Sequence, residues 1–217
     1  FDIVLANPPY SIKTWDREAF MNDKWGRNFL GTPPQGRADY AFFQHILASM
    51  DEETGRCAIL FPHGILGRDE EKDIRAKLIE TDLVECVIGI GRNLFYNSPM
   101  EACIVICRKK KSLDRKGKIL FIDAKEKVTR KNAERYLEQS HINEIVKAYQ
   151  SNDNIPGFAS IVNNGEVKGN NNSLAISMYV TSSTSSVYNT DECMQNFIST
   201  IKPCHEDLDY LIKLINE

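Results

Sequence analysis

Phe1-Asp2-Ile3-Val4-Leu5-Ala6-Asn7-Pro8-Pro9-Tyr10 reads as a buried strand that stops on a rigid turn. Residues 3 to 6 are all apolar, and Ile3 and Val4 are β-branched, which suits a strand. Pro8 and Pro9 hold φ at about −65° and push the residue before each into extended geometry, so the turn keeps its shape without a hydrogen-bond ladder. The residue types fit one kind of chemistry. An exocyclic amine on a planar ring is a poor nucleophile because its lone pair is delocalised. The Asn7 side-chain oxygen and the Pro8 carbonyl can accept both amine hydrogens and favour a tetrahedral nitrogen ready for attack. Acceptors held in place act where charge develops. Tyr10 offers a ring face to a base rotated out of its stack, with Pro9 lining the same turn. In open α/β sheets ligands bind outside the carboxyl ends of strands, where this turn lies.

After the turn, apolar runs alternate with amphipathic segments, as in strand-helix units around a mostly parallel sheet. Residues 11 to 37 break the pattern with Gly26, Gly31, Pro33, Pro34, Gly36 and two tryptophans, the composition of a mobile loop over a site. Tyr40, Phe43, Leu47 and Met50 predict a helix over 38–50, and 57–61 a short strand ended by Pro62-His63-Gly64. His63 reads as a turn residue beside the site. Ile74 and Leu78 mark the inner face of a helix over about 69–80. Residues 83–90 and 102–107 predict two strands joined by a loop holding Asn93, Leu94, Phe95 and Tyr96. Gly89-Ile90-Gly91 lacks the third glycine and the following helix of a dinucleotide fingerprint, so it reads as a turn. Residues 118–124 predict another strand, and Ile142, Ile145, Val146 and Tyr149 the inner face of a helix. The sheet domain is expected to cover 1–150. Residues 151–217 are expected to form an extended or partner-dependent tail, rich in Asn, Gly, Ser and Thr before an amphipathic end at Leu208, Leu211, Ile212 and Ile215.

Composition sets the bounds. The 217 residues, 42% apolar and 26% charged, suffice for one cored domain with an appendage. No apolar run approaches the roughly 18 residues of a membrane span, and no leader pattern opens the chain, so a cytoplasmic location without membrane partners is expected. The six cysteines show no C-x-x-C pair and no metal-like spacing with the four histidines, so no metal is expected. Cys103 and Cys107 would lie about 13 Å apart along one strand, too far for a disulfide. A net charge of −3 argues against holding nucleic acid by overall charge. Between Arg108 and Lys131, however, eleven cations face three acids, which leaves phosphate contact and a solvated linker both open.

The blocks FDIVLANPPY (1–10), RADYAFFQHIL (37–47), FPHGIL (61–66), DIRAKLIETDLVECVIGI (73–90), NLFY (93–96), GKILFIDA (117–124), HINEIV (141–146) and IPGFASIV (155–162) together resemble the modification subunit of type I restriction-modification systems. That family comprises adenine-N6 DNA methyltransferases dependent on S-adenosyl-L-methionine. The resemblance implies an α/β fold, the C-terminal part of a class I Rossmann-like methyltransferase sheet with a mixed helical and irregular tail. It implies that Asn7 and the Pro8 carbonyl orient the target amine, that Tyr10 stacks on the flipped adenine, and that Phe95 or Tyr96 makes a second base contact. It also implies double-stranded DNA and separate specificity and restriction subunits as partners, with the tail at 151–217 as an assembly region.

In the family, the glycine-rich turn and the acid that hold the cofactor precede NPPY. Here NPPY begins at residue 7, so the cofactor site is expected upstream of Phe1. The strand at 1–6 is then expected to present an unpaired edge, and the isolated 217 residues to be inactive. Two other readings share the motif. A methyltransferase acting on a glutamine side chain would use the same acceptors on a carboxamide nitrogen, and a non-catalytic module would keep the fold to bind partner subunits.

Overall fold

Each apolar run becomes a strand, but the strands do not pair in chain order. The computed structural model describes residues 1–94, 100–131 and 134–181. Along the chain come β1 (Ile3–Ala6), α1 (Arg17–Met21), α2 (Asp39–Ser49), β2 (Arg56–Pro62), α3 (Lys72–Glu80), β3 (Val84–Ile90) and β4 (Ala102–Arg108). There follow β5 (Lys118–Ala124), the small ribbon β6 (Thr129–Lys131) and β7 (Glu134–Tyr136), α4 (Gln139–Ser151), β8 (Ala159–Asn163) and α5 (Asn164–Gly169). The main sheet has the order β1-β2-β4-β3-β5-β8. β1 pairs parallel with β2 and β3 with β5, while β4 is antiparallel to both β2 and β3, and β8 to β5. The sheet is therefore mixed, not mostly parallel. Residues 91–101 are too few for a crossover, so β4 must turn back along β3.

Two apolar layers hold this sheet. On one face Ile59, Phe61, Val87, Val105 and Phe121 pack against Phe43 and Leu47 of α2, Leu78 of α3, and Val167 and Ile176 beyond residue 163. On the other, Cys86, Ile88, Leu120 and Ile122 pack against Ala148 of α4, with Ile145 and Tyr149 beside it. Ile142 and Val146, expected on that inner face, are 39% and 43% exposed. The stripe of α4 at 145, 148 and 149 is the part that meets the sheet.

The sheet does not end near residue 150. β8 forms its outer strand next to β5, and Leu174 and Ile176 are at most 1% exposed, so Phe1–Thr181 is one compact unit. The part of the expected tail at 182–217, including Leu208, Leu211, Ile212 and Ile215, lies outside the described residues. β1 differs in the opposite sense. It reads as buried, yet Ile3 and Leu5 are 54% and 79% exposed, since among the described residues β2 is its only neighbour.

The stretch expected as a loop over the site carries its own short helix, α1, whose N-cap Asp16 accepts the Ala19 N–H at 2.8 Å. It is tied to α2 through Gln44, which accepts the Leu30 N–H at 2.7 Å and donates to the Gly31 carbonyl at 2.9 Å. Gly89 lies within β3, not in a turn. A Cβ there would sit 2.8 Å from Ile176, and one on Gly91 2.6 Å from the Lys125 carbonyl, so both glycines serve close packing. Cys57, Cys86, Cys103 and Cys107 are free and buried; Cys193 and Cys204 lie outside the described residues.

Candidate active site

The carboxyl ends of β1, β2, β3 and β5 and the start of β4 form one edge of the sheet, for Pro62 and Ile90 both pair with Ala102, and Ile90 with Ala124. Asn7 leaves β1 at this edge. An open groove of about 400 Å³ runs beside it, lined by Leu5, Ala6, Asn7, Ala58, Leu60 and Ile104. Asn7 and Pro9 are exposed; Pro8 and Tyr10 are half-buried. The Tyr10 hydroxyl donates to Asn7 Oδ1 at 2.7 Å. An amide oxygen has two lone pairs, so this bond orients the Asn7 side chain and leaves an acceptor site for a substrate amine. Burial, then the neighbouring Cys103 and Asp39, push the Tyr10 hydroxyl above its ordinary pKa, so it stays a donor. Tyr10 takes part in none of the ring-ring contacts among the described residues.

Behind the turn stands a buried polar group that the sequence pattern did not reveal. Asp39, at the start of α2, is 0% exposed. An aspartate ahead of an apolar helix reads as a cap, but the N-cap is Ala38 and Asp39 caps nothing. Its Oδ1 accepts the Ser11 N–H at 2.8 Å, and its Oδ2 accepts from Arg68 Nη1 at 2.8 Å. Arg68 also reaches both oxygens of buried Glu71, at 3.3 and 3.2 Å. Burial raises the Glu71 carboxyl to about 7 against the opposing pull of Arg68.

His63 opens a 3-10 turn directly after β2, and its N–H donates to the Glu101 carbonyl at 3.0 Å. Its buried Nε2 has no hydrogen-bond partner, and burial, reinforced by Lys125, lowers its pKa. Glu101 is bonded to Arg92 at 2.6 Å, which holds its carboxyl below the usual range. Phe95 and Tyr96, expected as a second base contact, lie outside the described residues. No group of three or more metal-ligating side chains occurs among the described residues. No helix there is long and apolar enough to cross a membrane.

The basic stretch is divided: Lys125 onward follows the carboxyl end of β5 at this edge, whereas Arg108 to Lys118 lies at the other end. Arg108 ends β4 opposite Arg56, the first residue of β2, at the far end of the sheet. At least seven of its eleven cations are in ion pairs among the described residues: Arg108 and Arg115 with Glu85, Lys109 with Glu52, Lys110 with Glu53, Lys111 with Asp82, Lys125 with Asp123 and Lys127 with Glu144. Most of the local positive charge is thus answered within the chain.

A mixed α/β sheet with a preorganised acceptor turn at a strand's carboxyl end has the architecture of a methyltransferase, and the chain belongs to the N-6 DNA methylase family, whose sequence profile matches residues 1–187. Particular relatives narrow the resemblance. The type I restriction enzyme MjaVIII methylase subunit of Methanocaldococcus jannaschii is 33% identical over 185 residues, covering 82% of this chain and 32% of that protein. The MpnII methylase subunit of Mycoplasma pneumoniae is 31% identical over 186 residues, covering 84% and 34%. Among solved structures, the type I restriction-modification methyltransferase subunit from Streptococcus thermophilus matches with a TM-score of 0.77 at 33% identity, covering 83% of this chain and 38% of that one. The chain spans about a third of the length of the curated relatives it matches.

Gly89, inside β3, and Gly91, just after it, are packed against Ile176 and the Lys125 carbonyl and leave no cradle for a ligand.

Proposed function

We propose that this chain belongs to a site-specific DNA adenine-N6 methyltransferase that is the modification subunit of a type I restriction-modification system. The observation that carries the reading is Asn7: an exposed amide oxygen, oriented by Tyr10, at the carboxyl end of a strand. In this reading Asn7 Oδ1 and the Pro8 carbonyl accept the two N6 hydrogens of an adenine rotated out of the duplex. Tyr10 supplies the stacking face, Pro9 the wall of the turn, and Phe95 or Tyr96 the second contact. As the nitrogen becomes tetrahedral it gains positive charge, and the two oxygens stabilise that charge without having to reorganise. The methyl donor is S-adenosyl-L-methionine, held by residues outside 1–217. Double-stranded DNA, a specificity subunit and a restriction subunit are the partners, and the protein works in the cytoplasm. The names of the relatives support this assignment.

The test is transfer of labelled methyl groups from S-adenosyl-L-methionine to DNA by the full-length protein. Asn7→Ala is expected to lower kcat by on the order of 10²-fold or more while cofactor affinity stays within a few-fold. An active Asn7→Ala enzyme would remove the proposed role of the turn. A non-catalytic partner-binding module is the second reading, favoured by the close packing at Gly89 and Gly91, which leaves no ligand cradle at the end of β3. Calorimetry separates the two. The full-length protein binding S-adenosyl-L-methionine, while 1–217 does not, supports the enzyme; no binding by either supports the module.

A further inference from the structure

We propose that Asp39 is a positioning residue for the Asn7–Tyr10 turn and acts by clamping the chain at Ser11. The inference rests on the reading that this turn holds the target base. Ser11 directly follows Tyr10 and has φ 47°, the left-handed region that side chains other than glycine seldom enter. Such a conformation persists only where the surroundings impose it. The imposing group is Asp39, which takes the Ser11 N–H at 2.8 Å on one oxygen and the Ser11 hydroxyl at 3.4 Å on the other.

The carboxylate is itself over-determined. It is fully buried, it is not used as a helix cap, and Arg68 fixes its second oxygen. Arg68 is held in turn by Glu71 and, at its carbonyl, by Arg75 Nη1 at 2.7 Å. Arg75 is 1% exposed, and its Nε reaches the Asn172 carbonyl at 3.0 Å. A continuous, partly buried chain of charged hydrogen bonds thus runs from the segment after α5, through α3, to the residue next to Tyr10. A buried aspartate that bonds a loop backbone and an arginine, and caps no helix, is placed to set geometry. The direction in which the chain leaves Tyr10 fixes the ring plane and the hydroxyl that orients Asn7. A looser exit would leave the acceptors present but misaligned, a defect that lowers the rate of transfer more than it weakens binding.

The test uses the full-length protein, with kcat and KM for DNA measured separately. Asp39→Ala is expected to lower kcat about 10- to 100-fold, with KM for DNA and cofactor affinity within about threefold of wild type. Asp39→Asn, which keeps one acceptor for the Ser11 N–H while Arg68 keeps Glu71, is expected to restore most of that loss. Ser11→Val attacks the clamp from the loop side, because a β-branched residue resists positive φ, and leaves the buried ion pair intact. It is expected to give the same loss confined to kcat, so the proposal stays testable even where Asp39→Ala does not fold. Wild-type kcat in folded Ser11→Val or Asp39→Ala overturns the clamp. Asn7→Ala tells the two failures apart. If it remains active, the reading of the turn itself has failed; if it is dead while the clamp variants keep wild-type kcat, only the clamp has failed.

Discussion

The two ends of the sheet both hold ion pairs, and they differ in what else they present. At the far end, Glu85 is 3% exposed at the start of β3 and is met by Arg108 Nε at 2.6 Å and the Tyr149 hydroxyl at 2.9 Å. Arg115 Nη1 lies 3.2 Å from it, near enough to pair in charge though not aligned for a hydrogen bond. Lys111 is likewise bonded to Asp82 and to the Lys118 carbonyl. At the near end, Asn7 is exposed with only Tyr10 on its oxygen, and His63 Nε2 is buried without a partner. The far end spends its charge on holding the fold together. Beside its own Asp39–Arg68–Glu71 network, the near end keeps the Asn7 oxygen open, and an open acceptor is what a substrate amine needs. Density of charge along a sequence is therefore a poor guide to where recognition occurs.

This contrast can be broken by mutation. Glu85→Ala strands two arginines and is expected to cost about 3–5 kcal/mol of stability, read by chemical denaturation, with kcat unchanged in the folded fraction. A loss of transfer without a loss of stability would put the far end in the chemistry. Tyr10→Ala is expected to weaken capture of the flipped base by about 1–3 kcal/mol, read by 2-aminopurine fluorescence at the target, with little change in stability. Unchanged fluorescence would remove the stacking role.

Glu71 adds a pH signature to the near end. Its folded pKa, about 7, lies above its ordinary 4.5, so the folded state binds the proton more tightly. That contribution is complete below about pH 4.5 and is lost as pH rises through 7, at no more than about 1.4 kcal/mol per unit. Glu71→Gln is expected to flatten this part of the stability profile, and an unaltered slope would assign it to other groups. The smallest effect is expected from replacing Lys109 and Lys110 together by alanine. Paired with Glu52 and Glu53 at the end of the sheet away from Asn7, they should leave the DNA affinity of the full-length protein unchanged at any salt concentration.

Much of the near end is legible along the chain. The Pro-Pro step marks the end of β1, the spacing of Tyr40, Phe43 and Leu47 marks α2, and 118–124 coincides with β5. These signals are local, since ring geometry and hydrophobic period act over a few residues. Asp39 escaped because its partners Ser11 and Arg68 lie 28 and 29 residues away. Nothing in the residues flanking it marks a carboxylate that bonds a distant loop. β8 escaped for a related reason, because five residues among Asn-rich turns carry too little pattern to reveal a strand until β5 is beside it.

By itself the amino-acid sequence determined the longer strands and helices, the rigid acceptor turn at Asn7 to Tyr10 and the family resemblance, because each depends on residue type and short-range spacing. Only the tertiary structure decided the strand order, the pairing of the basic stretch and the burial of Asp39 behind Ser11. Each of these is a relation between residues far apart in the chain, and burial and charge are set by what the fold brings next to a residue.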